Sequence, residues 1–327
     1  MRHPLLRTIL AAFALLLAVS FAACGGDDQS SSGDDPAPAP AASDFPSVSG
    51  DLDSVGAKIS PTDQYVVSPA GKVFVQGHNR FAFGVFTVDG DPVTDADVAI
   101  YAAPGANGKA QGPFPARVES LETEPAFTAQ TTSDDPDAAK AVYVTDISFD
   151  QPGEWRLVAA IKDDSGKFVG TLLPSINVSE HDSIPAVGDQ APKIHTLTAD
   201  DVGDIGQIDT RVPPSSMHDV DFADVVGKKP VVLLFATPAL CTSRVCGPVV
   251  DVAEQVKRET GDKAAFIYQE IYVDNDPNKG PRPQVQAYNL HSEPWLFVIG
   301  ADGRIDTRIE GAFSVSELQN AVDRVTG

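Results

Sequence analysis

The feature that most constrains this chain is an unbroken apolar run that ends a few residues before a close pair of cysteines. The run, VVLLFAT at residues 231–237, is typical of a strand buried on both faces of a sheet. After Cys241 and Cys246, Pro248 precedes an apolar pattern at i, i+3, i+4 and i+7 that predicts a helix: Val249, Val252, Ala253 and Val256. The sequence therefore predicts a buried strand, a cysteine-bearing loop and a helix.

Strand and helix patterns continue to alternate after this segment. A strand is predicted at residues 264–273 and a short helix at 283–290. A hairpin follows, with its two strands at residues 295–299 and 304–311. Ser314 and Glu317 form a capping box in front of a last helix. This order predicts an α/β fold with a mixed sheet over residues 185–327.

The spacing of the two cysteines constrains the loop that carries them. Four residues separate Cys241 from Cys246, so an uninterrupted helix would place their Cα atoms about 7.5 Å apart along its axis. A disulfide needs the two Cα atoms within about 7 Å. The loop must therefore fold back, with the helix starting near Cys246 or Gly247. Cys246 would then lie at the helix N-terminus, where the dipole and Arg244 favour a thiolate, whereas Cys241 is the freer sulfur.

Two cysteines this close, between a buried strand and a helix, indicate redox chemistry. The alternative is a static disulfide, which would stabilise the fold little because the entropic gain of a cross-link grows with the length of the closed loop. The sequence contains no phosphate-binding loop, zinc cluster or Ser-His-Asp arrangement. The cysteine pair is therefore the leading candidate for chemistry.

Three further motifs accompany the pair: VGDQAP at residues 187–192, GKKP at 227–230 and SEPW at 292–295. With the order of elements, they resemble the redoxin group of the thioredoxin fold over about 140 residues. This group includes TlpA-like thiol–disulfide oxidoreductases, peroxiredoxins of the alkyl hydroperoxide reductase type and Sco-type copper chaperones. The resemblance implies a thioredoxin-like domain in which Pro294 forms a cis-proline loop facing the cysteines. It also implies that Cys241 attacks and Cys246 resolves.

The resemblance leaves three subfamilies open, because the chain departs from each of them. TlpA-like proteins have two residues between their cysteines and Sco-type proteins have three, whereas this chain has four. In the peroxiredoxin pattern, the spacing that corresponds to Thr242 and Cys246 is one residue shorter than it is here. We expect a thiol–disulfide oxidoreductase without a cofactor. One alternative is a Sco-like copper-binding protein that holds the metal with Cys241, Cys246 and His291. The other is a redox-inert binding lipoprotein with a structural disulfide.

Glu270 is a further catalytic candidate. It lies on the predicted second strand, on the same face as Phe266, Tyr268 and Tyr272. A carboxylate beneath a thioredoxin-type disulfide would serve as a proton acceptor. The alternative is a strand-edge carboxylate with no role in the chemistry.

The preceding part of the chain, residues 45–180, shows period-two alternation between turns and predicts an all-β sandwich. The segments DGDPVTDADVAIY and FDQPGEWRLVAAI resemble bacterial immunoglobulin-like envelope modules. Residues 104–140 are rich in Pro, Thr and Asp, and they are predicted to be an extended loop or insertion. We expect this domain to act as a spacer or interaction module without chemistry of its own.

A basic start, an apolar run and the sequence Phe-Ala-Ala-Cys mark residues 1–23 as a targeting segment. This end resembles the lipobox of bacterial lipoprotein signal peptides, with Phe where Leu, Val or Ile is usual. The resemblance implies cleavage before Cys24 and lipidation of its sulfur, and ordinary cleavage that leaves a free thiol is the alternative. Residues 24–44 are predicted to be a disordered tether.

The formal net charge of −22 argues against nucleic acid as a partner and against a polybasic patch that binds an anionic membrane, because both need clustered cations. Membrane attachment is therefore expected through the lipid anchor, at the extracytoplasmic face of the cell envelope. Thiols or disulfides of other extracytoplasmic proteins are the expected partners.

Overall fold

The computed structural model describes residues 38–163 and 165–327, which contain three sheets. None of the helices in these residues is long and apolar enough to cross a membrane. The predicted signal peptide at residues 1–23, the predicted lipidation site Cys24 and most of the predicted tether lie outside the described residues.

The first half of the described chain contains eleven strands and two helices. Their bounds are α1 Leu52–Gly56, β1 Ser60–Pro61, β2 Tyr65–Pro69, β3 Phe74–Val75, β4 Gly77–Thr87, β5 Val98–Pro104, β6 Gln111–Pro115, β7 Arg117–Ser120, α2 Gln130–Ser133, β8 Ala141–Phe149, β9 Gly153–Lys162, β10 Phe168–Leu172 and β11 Ile176–Ser179.

These strands form two sheets that share one core. One sheet has the order β2-β4-β8-β7 and is antiparallel. In the other, β9 pairs with β5 and with β10 and β11, and β6, β1 and β3 complete the sheet. Phe81 and Phe83 of the first sheet pack with Trp155 and Leu157 of the second. The predicted all-β character of this half is confirmed, while the likeness to immunoglobulin-like modules remains a resemblance.

The prediction that residues 104–140 form an extended loop is wrong in part, because they contain β6 and β7. β6 pairs only with β5 and β7 only with β8, so both lie at sheet edges within the described residues. Proline is tolerated at such edges, which explains how β6 includes Pro113 and Pro115. The remaining part, residues 121–140, contains no strand and contacts the second half of the chain.

The second half contains four strands and four helices within the described residues. Their bounds are α3 Phe222–Val225, β12 Val231–Ala236, α4 Cys246–Thr260, β13 Ala265–Glu270, α5 Pro283–Ala287, β14 Trp295–Ile299, β15 Ile305–Glu310 and α6 Val315–Thr326. The strand order is β13-β12-β14-β15, in which β12 and β13 are parallel and the other pairs are antiparallel. This is the mixed sheet that the alternating sequence pattern predicts.

Every residue of β12 is buried, because both faces of this sheet are covered. Val232 and Leu234 pack with residues of α4 and α6 on one face. Leu233 and Phe235 belong to a second cluster on the opposite face. The prediction of a central strand buried on both sides is therefore confirmed.

The two halves are joined by a shared core and by ion pairs. Leu121 and Val142 of the first half belong to the same buried cluster as Val249 of α4. Arg80 donates hydrogen bonds to the two carboxylate oxygens of Glu317 at 2.6 and 2.7 Å. The N-cap of α6, Ser314, accepts from the Glu317 amide as the capping box predicts, but the Glu317 carboxylate binds the first half instead of closing the box.

Candidate redox site

Cys241 and Cys246 form a disulfide at the junction between the central strand and the helix that follows it. Their Cα atoms are 5.9 Å apart. α4 begins at Cys246, so the loop before it folds back as the spacing requires. Pro248 therefore lies in the first turn of α4 rather than at its first residue, and its missing N–H is tolerated there because the first amides of a helix have no partner within it.

The two sulfurs differ in exposure and in hydrogen bonding. Both cysteines are buried, but Cys241 retains 7% exposure whereas Cys246 has none, so Cys241 is the more accessible of the two. The backbone N–H of Cys246 donates to Cys241 Sγ at 3.3 Å, and Ser243 Oγ lies 3.2 Å from the same sulfur. The first amide of α4 therefore points at Cys241. The helix N-terminus, which we predicted would favour a thiolate on Cys246, favours it on Cys241 instead.

Pro294 lies at the same end of the sheet as the cysteine loop. Its peptide bond with Glu293 is cis. Trp295, the first residue of β14, pairs with Phe235 in β12, so Pro294 is beside Ala236 where β12 ends and the loop toward Cys241 begins. This agrees with the cis-proline loop that the resemblance implies.

Glu270 lies on the other side of the same strand end, paired in register with Ala236. It is fully buried, and its Oε1 accepts hydrogen bonds from the Thr210 amide at 2.8 Å and from the Thr210 and Tyr268 hydroxyls at 2.5 Å each. Burial raises the pKa of this carboxyl above its usual value, although the Thr210 and Tyr268 hydrogen bonds lower it.

The contact between Glu270 and the cysteine loop is indirect. Thr210 Oγ1 also accepts a hydrogen bond at 3.2 Å from the amide of Ala239, two residues before Cys241. No hydrogen bond joins Glu270 to either sulfur in the described residues. Thr210 was not expected from the sequence, since it lies far from the cysteines along the chain and belongs to no motif.

No hydrogen bond joins a histidine of the second half to the disulfide within the described residues. His291, the predicted copper ligand of the Sco-like alternative, is exposed and makes no hydrogen bond with either cysteine in the described part of the chain. His195 pairs with Asp221 and His218 with Asp209. Within the described residues, no three His, Cys, Asp or Glu side chains are grouped to hold a metal ion.

The first half contributes residues to this site, which the sequence did not indicate. Residues 121–140, here called the cover segment, lie against α4 and the cysteine loop. The Ala139 amide donates to the Arg244 carbonyl at 3.0 Å, and Asp135 forms an ion pair with the Arg244 guanidinium at 3.1 Å. Nothing in a single sequence marks Asp135, because an acidic, proline-containing stretch is typical of an exposed loop.

A cleft of about 490 Å³ opens between the first half and the cysteine loop. The four residues between the cysteines include three that line it, Thr242, Ser243 and Arg244. The opposite wall is formed by Phe86, Pro92, Val93, Lys140 and Tyr143. Since Ser243 also touches Cys241 Sγ, the cleft adjoins the more exposed sulfur.

No protein-family model and no curated protein matches the chain. Among solved structures it is similar to a protein assigned as thiol:disulfide interchange protein DsbE from Chlorobium tepidum, with 14% identity and a TM-score of 0.31 over 44% of this chain and 99% of that one. A thioredoxin family thiol:disulfide interchange protein from Chlorobium tepidum TLS gives 20% identity and a TM-score of 0.29 over 43% and 99%.

A third similar structure is the CARDB domain of a Pyrococcus furiosus protein, with 14% identity and a TM-score of 0.18 over 36% of this chain and 96% of that domain. Likenesses at such low TM-scores carry no argument about function.

Proposed function

We propose that this protein is a thiol–disulfide oxidoreductase of the thioredoxin-like type, working through Cys241 and Cys246. The observation that carries the proposal is the unequal pair of sulfurs at the start of α4. Cys241 is 7% exposed and its sulfur accepts a hydrogen bond from the first amide of the helix, whereas Cys246 is fully buried. The strand order of the second sheet and the position of cis-Pro294 beside the end of β12 support it.

The exchange conserves atoms and electrons through a mixed disulfide. A partner thiolate attacks Cys241 Sγ, the Cys241–Cys246 bond breaks, and Cys246 leaves as a thiolate that takes up a proton. A second partner thiolate then attacks the mixed disulfide, so Cys241 leaves reduced and the partner gains a disulfide. The reverse sequence reduces a partner disulfide, with Cys246 as the resolving thiolate. The amide of Cys246 stabilises negative charge on Cys241 in both directions.

The proposed partners are proteins with exposed thiols or disulfides on the extracytoplasmic side of the membrane. The proposed attachment is a lipid on Cys24, followed by the tether at residues 24–44. These two proposals rest on the sequence of the leader and on the acidic composition of the chain. The cleft of about 490 Å³ beside residues 242–244 is the proposed place where a partner approaches Cys241.

The test uses full-length protein carrying Cys24→Ser, so that the pair holds the remaining thiols. Reduced Cys246→Ser and Cys241→Ser variants are mixed with glutathione disulfide, and adducts are followed by mass spectrometry. We expect a stable glutathione adduct on Cys241 in the first variant and a much slower reaction of the buried Cys246 in the second. The unsubstituted pair should release glutathione as it closes.

The reduction potential of the pair provides an independent measurement. Proteins that exchange disulfides have potentials between about −270 and −120 mV, whereas structural disulfides lie below about −300 mV. A potential below that limit, with no adduct on either single variant, would overturn the proposed function. Tight Cu(I) binding by the reduced pair without exchange would favour the copper-binding alternative.

A further inference from the structure

The cover segment is held against α4 by backbone hydrogen bonds to a buried ion pair, that of Arg211 with Asp251. Asp251 of α4 is 1% exposed and accepts from Arg211 Nε at 2.8 Å through one oxygen and from the Ala129 amide at 3.1 Å through the other. Arg211 donates in addition to the carbonyls of Phe127 and Pro213, at 2.6 and 2.9 Å. The segment is therefore fixed to the helix that begins at Cys246.

The same segment reaches the cysteine loop at its other end. Asp135 Oδ2 accepts from the guanidinium of Arg244, and its Oδ1 accepts from the amide of Asp137 at 3.0 Å. The Ala139 amide binds the Arg244 carbonyl. Arg244 itself has a φ of 61°, a left-handed conformation that non-glycine residues adopt at a cost, so contacts to both its side chain and its backbone help to hold it.

We infer that Asp135 is a positioning residue for the cysteine pair, acting through Arg244 to favour the disulfide over the dithiol. This inference rests on the proposed function, because it assigns a role in the redox equilibrium of that same pair. It makes the first half of the chain a working part of the site rather than a spacer.

Two effects of Asp135 act in the same direction. The carboxylate holds Arg244 in the closed loop seen with the disulfide, so its loss weakens the oxidised state. It also neutralises the Arg244 guanidinium of the cysteine loop, so its loss leaves that charge free to stabilise a Cys241 thiolate in the reduced state. Both changes make the pair easier to reduce.

The expected size follows from the exposure of the ion pair. The Asp135 side chain is 22% exposed and that of Arg244 is 52% exposed, which is the range in which ion pairs contribute modestly. Loss of the pair should change the equilibrium constant with glutathione about twofold to fivefold. Because a tenfold change corresponds to 29.6 mV for a two-electron couple, the potential should rise by about 10 to 20 mV.

The variant for the test is Asp135→Asn in the full chain carrying Cys24→Ser. Asparagine retains an oxygen for the Asp137 amide but loses the charge that faces Arg244. The matched control is Asp134→Asn, which removes the same charge one residue away on an exposed side chain that accepts from Gln130. The potential is measured by equilibration with glutathione, and the thiolate pKa of Cys241 by the pH dependence of its alkylation.

We expect Asp135→Asn to raise the potential and lower the pH at which Cys241 becomes reactive, while Asp134→Asn matches the unsubstituted protein. In an Arg244→Gln background, Asp135→Asn should have no further effect. Equal potentials for all these proteins, or an equal shift in the control, would refute the role of Asp135. If the unsubstituted pair does not equilibrate with glutathione at all, it is the proposed function that fails.

Discussion

Replacing Asp251 by Asn tests how much stability depends on a buried ion pair of the second half that also binds the cover segment. Each oxygen of Asp251 accepts from a different donor, the Arg211 guanidinium or the Ala129 amide. Asparagine has one oxygen and an NH₂ group, so it leaves one of these donors facing another donor. It also leaves the Arg211 side chain, 7% exposed, without a counter-charge.

The magnitude follows from the cost of breaking a buried ion pair on one side, which is about 3–5 kcal/mol. Arg211 keeps its hydrogen bonds to the carbonyls of Phe127 and Pro213, so the cost should fall near the lower end of this range. Burial raises the pKa of Asp251 despite the hydrogen bonds and the charge of Arg211, so part of the cost of burying this carboxyl is already present in the native protein. We therefore expect a loss of about 3 kcal/mol in the free energy of unfolding.

Urea unfolding followed by tryptophan fluorescence measures this loss in both halves, because the two tryptophans, Trp155 and Trp295, lie one in each half. Asp262→Asn is the control, since Asp262 is exposed just beyond α4 and the change should be nearly neutral. The double variant Arg211→Met/Asp251→Asn should lose less than the sum of the single variants, as expected for a coupled pair. An Asp251→Asn variant within about 0.5 kcal/mol of its parent would refute the assignment of this ion pair, with the cover-segment contacts that it carries, as a main source of stability.

Two further predictions concern other buried charges. Burial raises the pKa of Glu270 in the folded state above its value in the unfolded state, so the folded state binds more protons between these two pKa values and its stability falls as pH rises through them. Glu270→Gln should remove this loss, so in urea unfolding the stability of the variant relative to its parent should be greater at about pH 7 than at about pH 4.5. An equal difference in stability at both pH values would contradict this prediction. By the same assay, Arg80→Ala should cost about 2 kcal/mol, because Glu317 is only 16% exposed and loses two hydrogen bonds. Lys162→Ala is the comparison: both side chains of its ion pair with Asp97 are 43% exposed, so it should cost under about 1 kcal/mol. Similar losses for the two variants would show that burial does not decide the contribution of these ion pairs.

The sequence predicts those features of the second half that depend on local pattern. The apolar run of β12, the fold-back of the cysteine loop and the N-cap at Ser314 each follow from neighbouring residues, because hydrophobic period, chain geometry and capping act over a few positions. The start of α4 at Cys246 also follows from local geometry, because the spacing of the two cysteines requires the loop before it to fold back.

The contacts that complete the site could not be predicted in this way. Thr210 reaches Glu270 across 60 positions of sequence, and Asp135 reaches Arg244 across 109. Such pairings depend on how the sheets pack, and a single sequence carries no periodic signal for them. The pattern of α4 predicts one buried face, yet Asp251 and Gln255 are also buried, because the cover segment lies on the side that would otherwise face solvent.

The core shared by the two halves has a consequence for how the chain folds and can be divided. Val142 and Leu121 pack in the same cluster as Val249 of α4, so neither half buries all of its apolar surface alone. A fragment that begins near residue 185 would expose that surface to water and lose the acceptors and donors that the cover segment provides. The two halves should consequently unfold together as a single cooperative unit. The boundary that the sequence indicates near residues 180–185 would then separate two architectures but not two independently unfolding units.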